Sequence, residues 1–170
     1  MYIIIPAYEP DKRLIQVVQD ITIKLPKARI IVVNDGSGPG YNDYYDETAF
    51  IGATVLTHPI NKGKGAALKT AFAHIQEEVV SQHLSAQPIV TVDSDGQHLI
   101  KDIVRVAKAI EENPSHLVLG ARAFVGKVPT RSRFGNKVTA GLFRLVTGQK
   151  VTDTQTGLRG MSTDLIPWLL

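Results

Sequence analysis

A chain of 170 residues, 44% hydrophobic and 21% charged, is long enough to bury one core as a single domain, and it contains no cysteine. That excludes disulfides, thiolate nucleophiles and cysteine-based zinc sites together, and suits a reducing compartment such as the cytoplasm. The net charge of +3 hides an asymmetry that points to an anionic partner: residues 121–170 hold eight Lys and Arg against two Asp and Glu, whereas residues 1–120 hold 11 against 14.

No apolar run approaches the roughly 18–20 residues that cross a bilayer. The opening Met1-Tyr2-Ile3-Ile4-Ile5-Pro6 lacks the basic start of a signal peptide and breaks too early to be one. Tyr2 to Ile5 reads as a first buried strand, stopped by Pro6. Leu14, Val17, Val18 and Ile21 then recur at helical spacing, with Asp11 placed to cap a helix reaching Leu25. Arg29 to Val33 is a second strand, ending in the loop residues Asn34-Asp35-Gly36-Ser37-Gly38-Pro39-Gly40. A short helix is expected near 42–50, a third strand at 53–57, and a long helix from the glycines around Lys64 to about Leu84. Pro88 to Asp93 is a fourth strand, 100–113 a helix and Leu117 to Arg122 a fifth strand. A loop at 123–130, a helix over 132–147 and an extended or looped stretch from Val151 to Met161 follow. Ser162 or Thr163 is placed to cap a last helix, whose apolar ending Trp168-Leu169-Leu170 gives the expectation that the natural chain continues.

Strands without polar alternation need both faces covered, so this order predicts an α/β fold: an open, mostly parallel twisted sheet with helices on both faces, of Rossmann-like type. Ligands in such sheets bind beyond the carboxyl ends of the strands, where strand order reverses. Pro6-Ala7-Tyr8-Glu9, Asn34-Asp35, Asp93-Ser94-Asp95 and Gly120-Ala121-Arg122 all fall just past their strands, on that edge.

Within this set, Asp93 and Asp95 are spaced to share one side of an extended chain. Two close carboxylates repel unless a cation or hydrogen-bond donors lie between them. A divalent ion with oxygen ligands, Mg²⁺ or Mn²⁺, completed by water and substrate phosphates, fits that pattern. The same letters also suit a strand-to-helix turn in which Asp95-Gly96 caps a helix.

Six motifs in order, Ile4-Ile5-Pro6-Ala7-Tyr8, Val32-Val33-Asn34-Asp35-Gly36-Ser37, Asn61-Lys62-Gly63-Lys64-Gly65, Asp93-Ser94-Asp95-Gly96-Gln97-His98, Gly120-Ala121-Arg122 and Asp153-Thr154-Gln155-Thr156-Gly157-Leu158-Arg159, carry a family resemblance. Together they resemble a family 2 glycosyltransferase of GT-A fold, and within it the polyprenyl-phosphate sugar transferases. The resemblance implies an inverting, metal-dependent hexosyltransferase of the cell envelope, associated with the inner face of the membrane. It would use a nucleotide diphosphate sugar, UDP-glucose before GDP-mannose, and a polyprenyl phosphate acceptor. Residues 1–122 become the nucleotide-sugar half and 123–170 the acceptor half.

By the same resemblance Pro6, Tyr8, Glu9, Asp35, Asp93 and Ser94 bind donor, with Asp35 accepting an imide N–H from the base, a task suited to a group that only accepts. The family acid after the first strand has Pro10 in its place here, and the carboxylate comes one residue early as Glu9. Asp93, Asp95 and Gln97 are the implied metal ligands; Asp95, Asp153 and Arg122 the implied catalytic groups; Arg131 and Arg133 the implied acceptor-phosphate site. His98 reads as a satisfied loop histidine, and the glycines flanking Lys64 as a structural helix start. No spaced Gly-x-Gly-x-x-Gly follows a strand, which argues against a dinucleotide oxidoreductase, and Pro6-Ala7-Tyr8-Glu9 stands where a nucleotidyltransferase has its glycine-rich turn. A nucleic-acid partner is disfavoured by scattered basic residues and few aromatics. A non-catalytic domain that binds a nucleotide sugar, or docks on a membrane, stays open, as does a family 2 transferase with a sugar acceptor.

Overall fold

The protein is described from a computed structural model over residues 1–120 and 156–170. Strands β1 (Tyr2–Ala7), β2 (Arg29–Asn34), β3 (Thr54–Thr57) and β4 (Pro88–Thr91) form a parallel set, linked by helices α1 (Arg13–Lys24), α2 (Asn42–Ile51) and α3 (Lys64–Ser81). Helix α4 (Ile100–Glu112) and the short strand β5 (Val118–Leu119) follow, and β6 (Arg159–Ser162) enters antiparallel between β4 and β5. The strand order is β3-β2-β1-β4-β6-β5 in one six-stranded sheet. This is the open, mostly parallel α/β sheet that the alternation implied.

The pleat of β1 explains the three layers. Ile3 and Ile5 point to one side, where Leu14, Val18 and Ile21 of α1 and Ile103, Val106 and Ile110 of α4 close over them. Tyr2 and Ile4 point to the other, against Ala67, Ala71, Phe72 and Ile75 of α3. A strand buried on both faces reads as an unbroken apolar run, as β1 does. Among the described residues, no helix is long and apolar enough to cross a membrane.

Local differences from the sequence reading have physical causes. Helix α1 has its N-cap position at Lys12, one residue past the expected cap Asp11, yet the Asp11 carboxylate still accepts the Arg13 N–H at 2.9 Å. Strand β4 ends at Thr91, so Asp93 and Asp95 stand in a turn beyond it rather than on alternate strand positions. Asp95 does not cap α4: its Oδ1 accepts the Gln97 N–H at 3.1 Å, and the helix starts three residues later with Leu99 at its N-cap position. Ser162 does cap, accepting the Asp164 N–H at 3.2 Å at the head of the final 3₁₀ and helical turns. The stretch read as extended or looped ends in a true strand, β6. Its weak strand signal comes from Gly160, where a Cβ would lie 2.4 Å from Val106 Cγ1 and 2.2 Å from Ile110 Cδ1, so α4 can cross β6 closely only over glycine. Arg122, Arg131, Arg133, Asp153 and the helix expected over 132–147 lie outside the described residues.

Candidate active site

Strand β1 pairs with β2 on one side and β4 on the other, so the sheet order reverses beside it. The connections leaving β1, β2 and β4 diverge there, opening a cleft above their carboxyl ends. Pro6, Ala7 and Tyr8 line it from β1, Asp35 from β2, Asn61, Gly63 and Lys64 from the start of α3, and Asp93, Ser94 and Asp95 from β4.

The first wall is held by hydrogen bonds between loops. Asn34 Oδ1 accepts the Ser37 N–H at 2.8 Å, and the Ser37 hydroxyl accepts the Glu9 N–H at 2.8 Å. Tyr45, buried in α2, shares a 2.8 Å bond with that hydroxyl and reaches Ala7 O at 3.2 Å. Glu9 takes a left-handed φ of 46°, unusual for a residue with a Cβ. That turn presents Tyr8, 48% exposed, at the cleft mouth, where the neighbouring Glu9 carboxylate pushes its phenol above the ordinary value.

Asp35 is 3% exposed. Its Oδ1 lies 2.7 Å from His58 Nδ1 and accepts the Lys62 N–H at 3.0 Å. Burial alone would raise this carboxyl, but the Lys62 amide and the His58 ring outweigh it and bring it below its usual value. Gly36, at φ +75°, lets the turn lie against the next loop, since a Cβ there would come within 2.1 Å of the Ile60 carbonyl carbon.

On the opposite wall, Asp93 is bound on both oxygens. Lys64 Nζ donates to Oδ1, and His98 Nε2 stands 3.2 Å from Oδ2. The His98 bond, with Lys64 working alongside against partial burial, holds the Asp93 carboxyl well below the usual carboxylate range. Behind it, a Cβ on Gly157 would overlap the Asp93 carboxylate. Thr91 Oγ1 donates to Gly157 O at 2.8 Å, and the buried Thr156 hydroxyl donates to Gly120 O at 2.6 Å, so the Thr156-Gly157 segment is pinned against the acidic turn.

The carboxylates of Asp93 and Asp95 border open space with hard oxygen atoms. Among the described residues, no group of three or more His, Asp or Glu side chains could enclose a metal ion. Two carboxylates are what Mg²⁺ commonly takes from a protein when phosphates and water complete its shell. The donor set therefore fits an ion completed by a phosphorylated ligand, not one caged by protein alone.

Of the residues singled out from sequence, Pro6, Tyr8, Asp35, Asp93, Ser94 and Asp95 come together around the cleft. Glu9 and Gln97 are exposed on its borders and do not line it. The sequence left His58 unmarked and gave Ser37 only as the end of a motif, and both support the site from behind. Lys64 was read as part of a structural helix start, yet its ammonium meets Asp93. The signal available for it was a lysine between two glycines, just past a strand and aimed at the same sheet edge.

The chain matches the family described as Glycosyl transferase family 2 over residues 2–166. It is 30% identical over 180 residues to UDP-N-acetylglucosamine–dolichyl-phosphate N-acetylglucosaminyltransferase of Methanococcus voltae, covering 95% of this chain and 69% of that protein. To the dolichyl-phosphate beta-glucosyltransferase ALG5C of Trichomonas vaginalis it is 27% identical over 190 residues, covering 98% of this chain and 52% of that one. Among solved structures, the mannosyltransferase PcManGT of Pyrobaculum calidifontis, in complex with GDP-Man and Mn²⁺, shares the fold with a TM-score of 0.59 at 18% identity, over 99% of this chain and 46% of that one. The chain thus spans 52% to 69% of the length of these two curated relatives.

Proposed function

Because the chain belongs to family 2 of the glycosyltransferases, we propose that it moves a hexose from a nucleotide diphosphate sugar to a polyprenyl phosphate, with inversion at the anomeric carbon. The observation that carries this reading is the cleft itself, which is lined both by Tyr8 and Asp35 and by the paired carboxylates Asp93 and Asp95. A nucleoside at the first wall places its diphosphate at the second.

Each described residue then has a task. Tyr8 offers a half-exposed ring for the base to stack on, and Asp35 an acceptor for an imide N–H. Asp93 and Asp95 are the groups that would hold Mg²⁺ or Mn²⁺, with Gln97, at the border of the cleft, implied as a ligand by sequence alone. Such an ion, when bound, neutralises charge developing on the departing nucleotide diphosphate. Pro6 and Ser94 line the cleft beside these groups and complete the donor site. The remaining roles rest on sequence: Arg122 to grip the diphosphate or the acceptor phosphate, Arg131 and Arg133 to receive the acceptor phosphate, and Asp153 to orient it. A phosphate monoester with a second pKa of about 6 is mostly ionised at neutral pH, so Asp153 need not act as a base. The arginines bring two anionic reactants together for an in-line attack by the acceptor oxygen.

The donor is a UDP-hexose in this reading, UDP-glucose first. The name of the Methanococcus relative supports uridine, and the names of both it and the Trichomonas relative support a gluco-configured sugar. GDP-mannose is second, supported by the fold shared with the GDP-Man complex. The acceptor is a lipid at the inner face of the cell membrane, matched to the basic balance of residues 121–170.

The test is calorimetric titration of UDP-glucose and GDP-mannose with Mn²⁺ or chelator, followed by transfer to a short-chain polyprenyl phosphate using the full natural chain. Metal-dependent binding and a glycosyl-phospholipid product are expected. Equal affinity in chelator would remove the metal assignment, and a glycosylated simple sugar or alcohol in place of the lipid would remove the acceptor assignment.

A further inference from the structure

His58 is 6% exposed beside the cleft and has no part in the roles above. It follows β3 directly, where its N–H donates to Asn34 O at 2.9 Å and so extends the pairing with β2 by one residue. Its ring spans two elements. Nδ1 lies 2.7 Å from Asp35 Oδ1, and Nε2 lies 2.8 Å from Thr70 Oγ1 on α3. An ionised carboxylate cannot donate, so Nδ1 carries a proton toward Asp35; in the neutral ring Nε2 accepts the Thr70 hydroxyl.

The bonds from His58 and Lys62 both fall on Oδ1. Oδ2 takes neither of these bonds and, with the Gly63 N–H as a further backbone donor acting on the carboxylate, is the oxygen that Asp35 can offer to a ligand in the cleft it lines. Turning the carboxylate would break two hydrogen bonds in a buried setting, where an unpaired polar group is costly. Behind the pair, Gly36 seats the Asp35 turn directly against the Ile60 and Asn61 backbone, so the loops that carry Asp35 and His58 lie in close contact.

The geometry points to His58 as a positioning residue that sets nucleobase selectivity, by fixing the Asp35 carboxylate with Oδ2 directed to an imide N–H. This rests on the reading of Asp35 as the base-contacting group. Uracil N3–H and guanine N1–H are both ring N–H donors beside a carbonyl, so the device serves either base. It rejects a base that lacks that proton, because the buried acceptor is then left unpaired.

The test compares the Kd of UDP, or of GDP if it binds tighter, with that of its imide-N-methyl analogue, in Mn²⁺, for the wild type and for His58→Gln, His58→Leu and Thr70→Val. The ratio of two Kd values reports on the folded molecules of a sample, whatever their fraction. In the wild type a preference on the order of 100-fold for the unmethylated base is expected. His58→Gln, whose amide N–H can serve Oδ1, should keep most of it. His58→Leu should bring the ratio close to one, and Thr70→Val should lower it by a smaller step. Pyrophosphate, which has no base, should bind all four proteins alike.

A wild-type ratio retained in His58→Leu overturns the inference, as does parallel loss of UDP and pyrophosphate binding, the mark of a general collapse. Should His58→Leu yield no folded protein, an unchanged ratio in Thr70→Val overturns it instead. A wild type that binds neither UDP nor GDP overturns the nucleotide-sugar reading, and the role of His58 with it. A wild type that binds but ignores the methyl group removes Asp35 as the base contact, and His58 falls with it.

Discussion

A methyl group at position 157 would occupy the space of the Asp93 carboxylate, which lies in a turn 64 positions earlier in the chain. Gly157→Ala should therefore displace the acidic turn while leaving the wall of Tyr8 and Asp35 in place. We expect weaker metal-dependent binding of the nucleotide sugar by at least about tenfold, or 1.4 kcal/mol, with pyrophosphate affected and the free nucleoside not, as read by calorimetry. Asp93 also gives the fold a dependence on acid. Its folded-state pKa is depressed, so the stability that its ionisation contributes is complete above the unfolded value of about 3.9 and is lost as pH falls through the lowered folded value. In chelator, the denaturation midpoint of Asp93→Asn should fall less steeply below pH ~4 than that of the wild type. An identical acid limb would show that Lys64 and His98 hold the unionised side chain equally well. Tyr8, Asp35, Asp93 and Asp95 were legible as site candidates because polar residues just past buried strands must converge on one sheet edge. His58 was not, because it meets Asp35 only once β3 lies beside β2, a pairing that no spacing in the sequence expresses.

At the scale of elements, the strands and helices of the first 120 residues follow from apolar period and from their glycine and proline stops, with boundaries shifted by a few residues. The parallel set was legible because β1 and β2 are apolar on both faces. Strand β6 was obscured by its own glycine, since the close approach of α4 demands a residue with poor strand propensity. Gly160→Ala should thus cost about 1–3 kcal/mol by overpacking, measured by urea denaturation. Gly38→Ala, where a Cβ meets nothing within 4 Å, is the matched control and should stay within about 0.5 kcal/mol of the wild type. Equal effects at the two positions would mean that α4 yields freely. Ile103→Ala removes a side chain 1% exposed between α4 and the sheet, and should cost about 2–5 kcal/mol with a pattern of loss unlike that of any cleft variant.

For the molecule as a whole, acidic and basic residues are segregated along the chain, and the cleft belongs to the acidic part. Binding of the protein to vesicles containing anionic lipid should accordingly weaken as salt rises, since the attraction fades over a Debye length of about 8 Å at physiological ionic strength. Salt-independent binding, measured by sedimentation, would assign the contact to apolar groups instead. The position of β6 bears on the order in which the chain can assemble. Strand β4 has β1 on one side, and its other edge waits for residues 159–162, which leave the ribosome after everything else in the sheet. Until then a row of backbone donors and acceptors at Pro88–Thr91 stands open to any passing strand. A fragment ending at Gly120 should therefore be made with most of its helices yet self-associate, and adding a peptide that contains 156–170 during refolding should suppress that association. In the intact chain, sealing this edge joins strands far apart in sequence and waits on the last of them to be made, which makes it the step that sets how long a newborn molecule remains sticky.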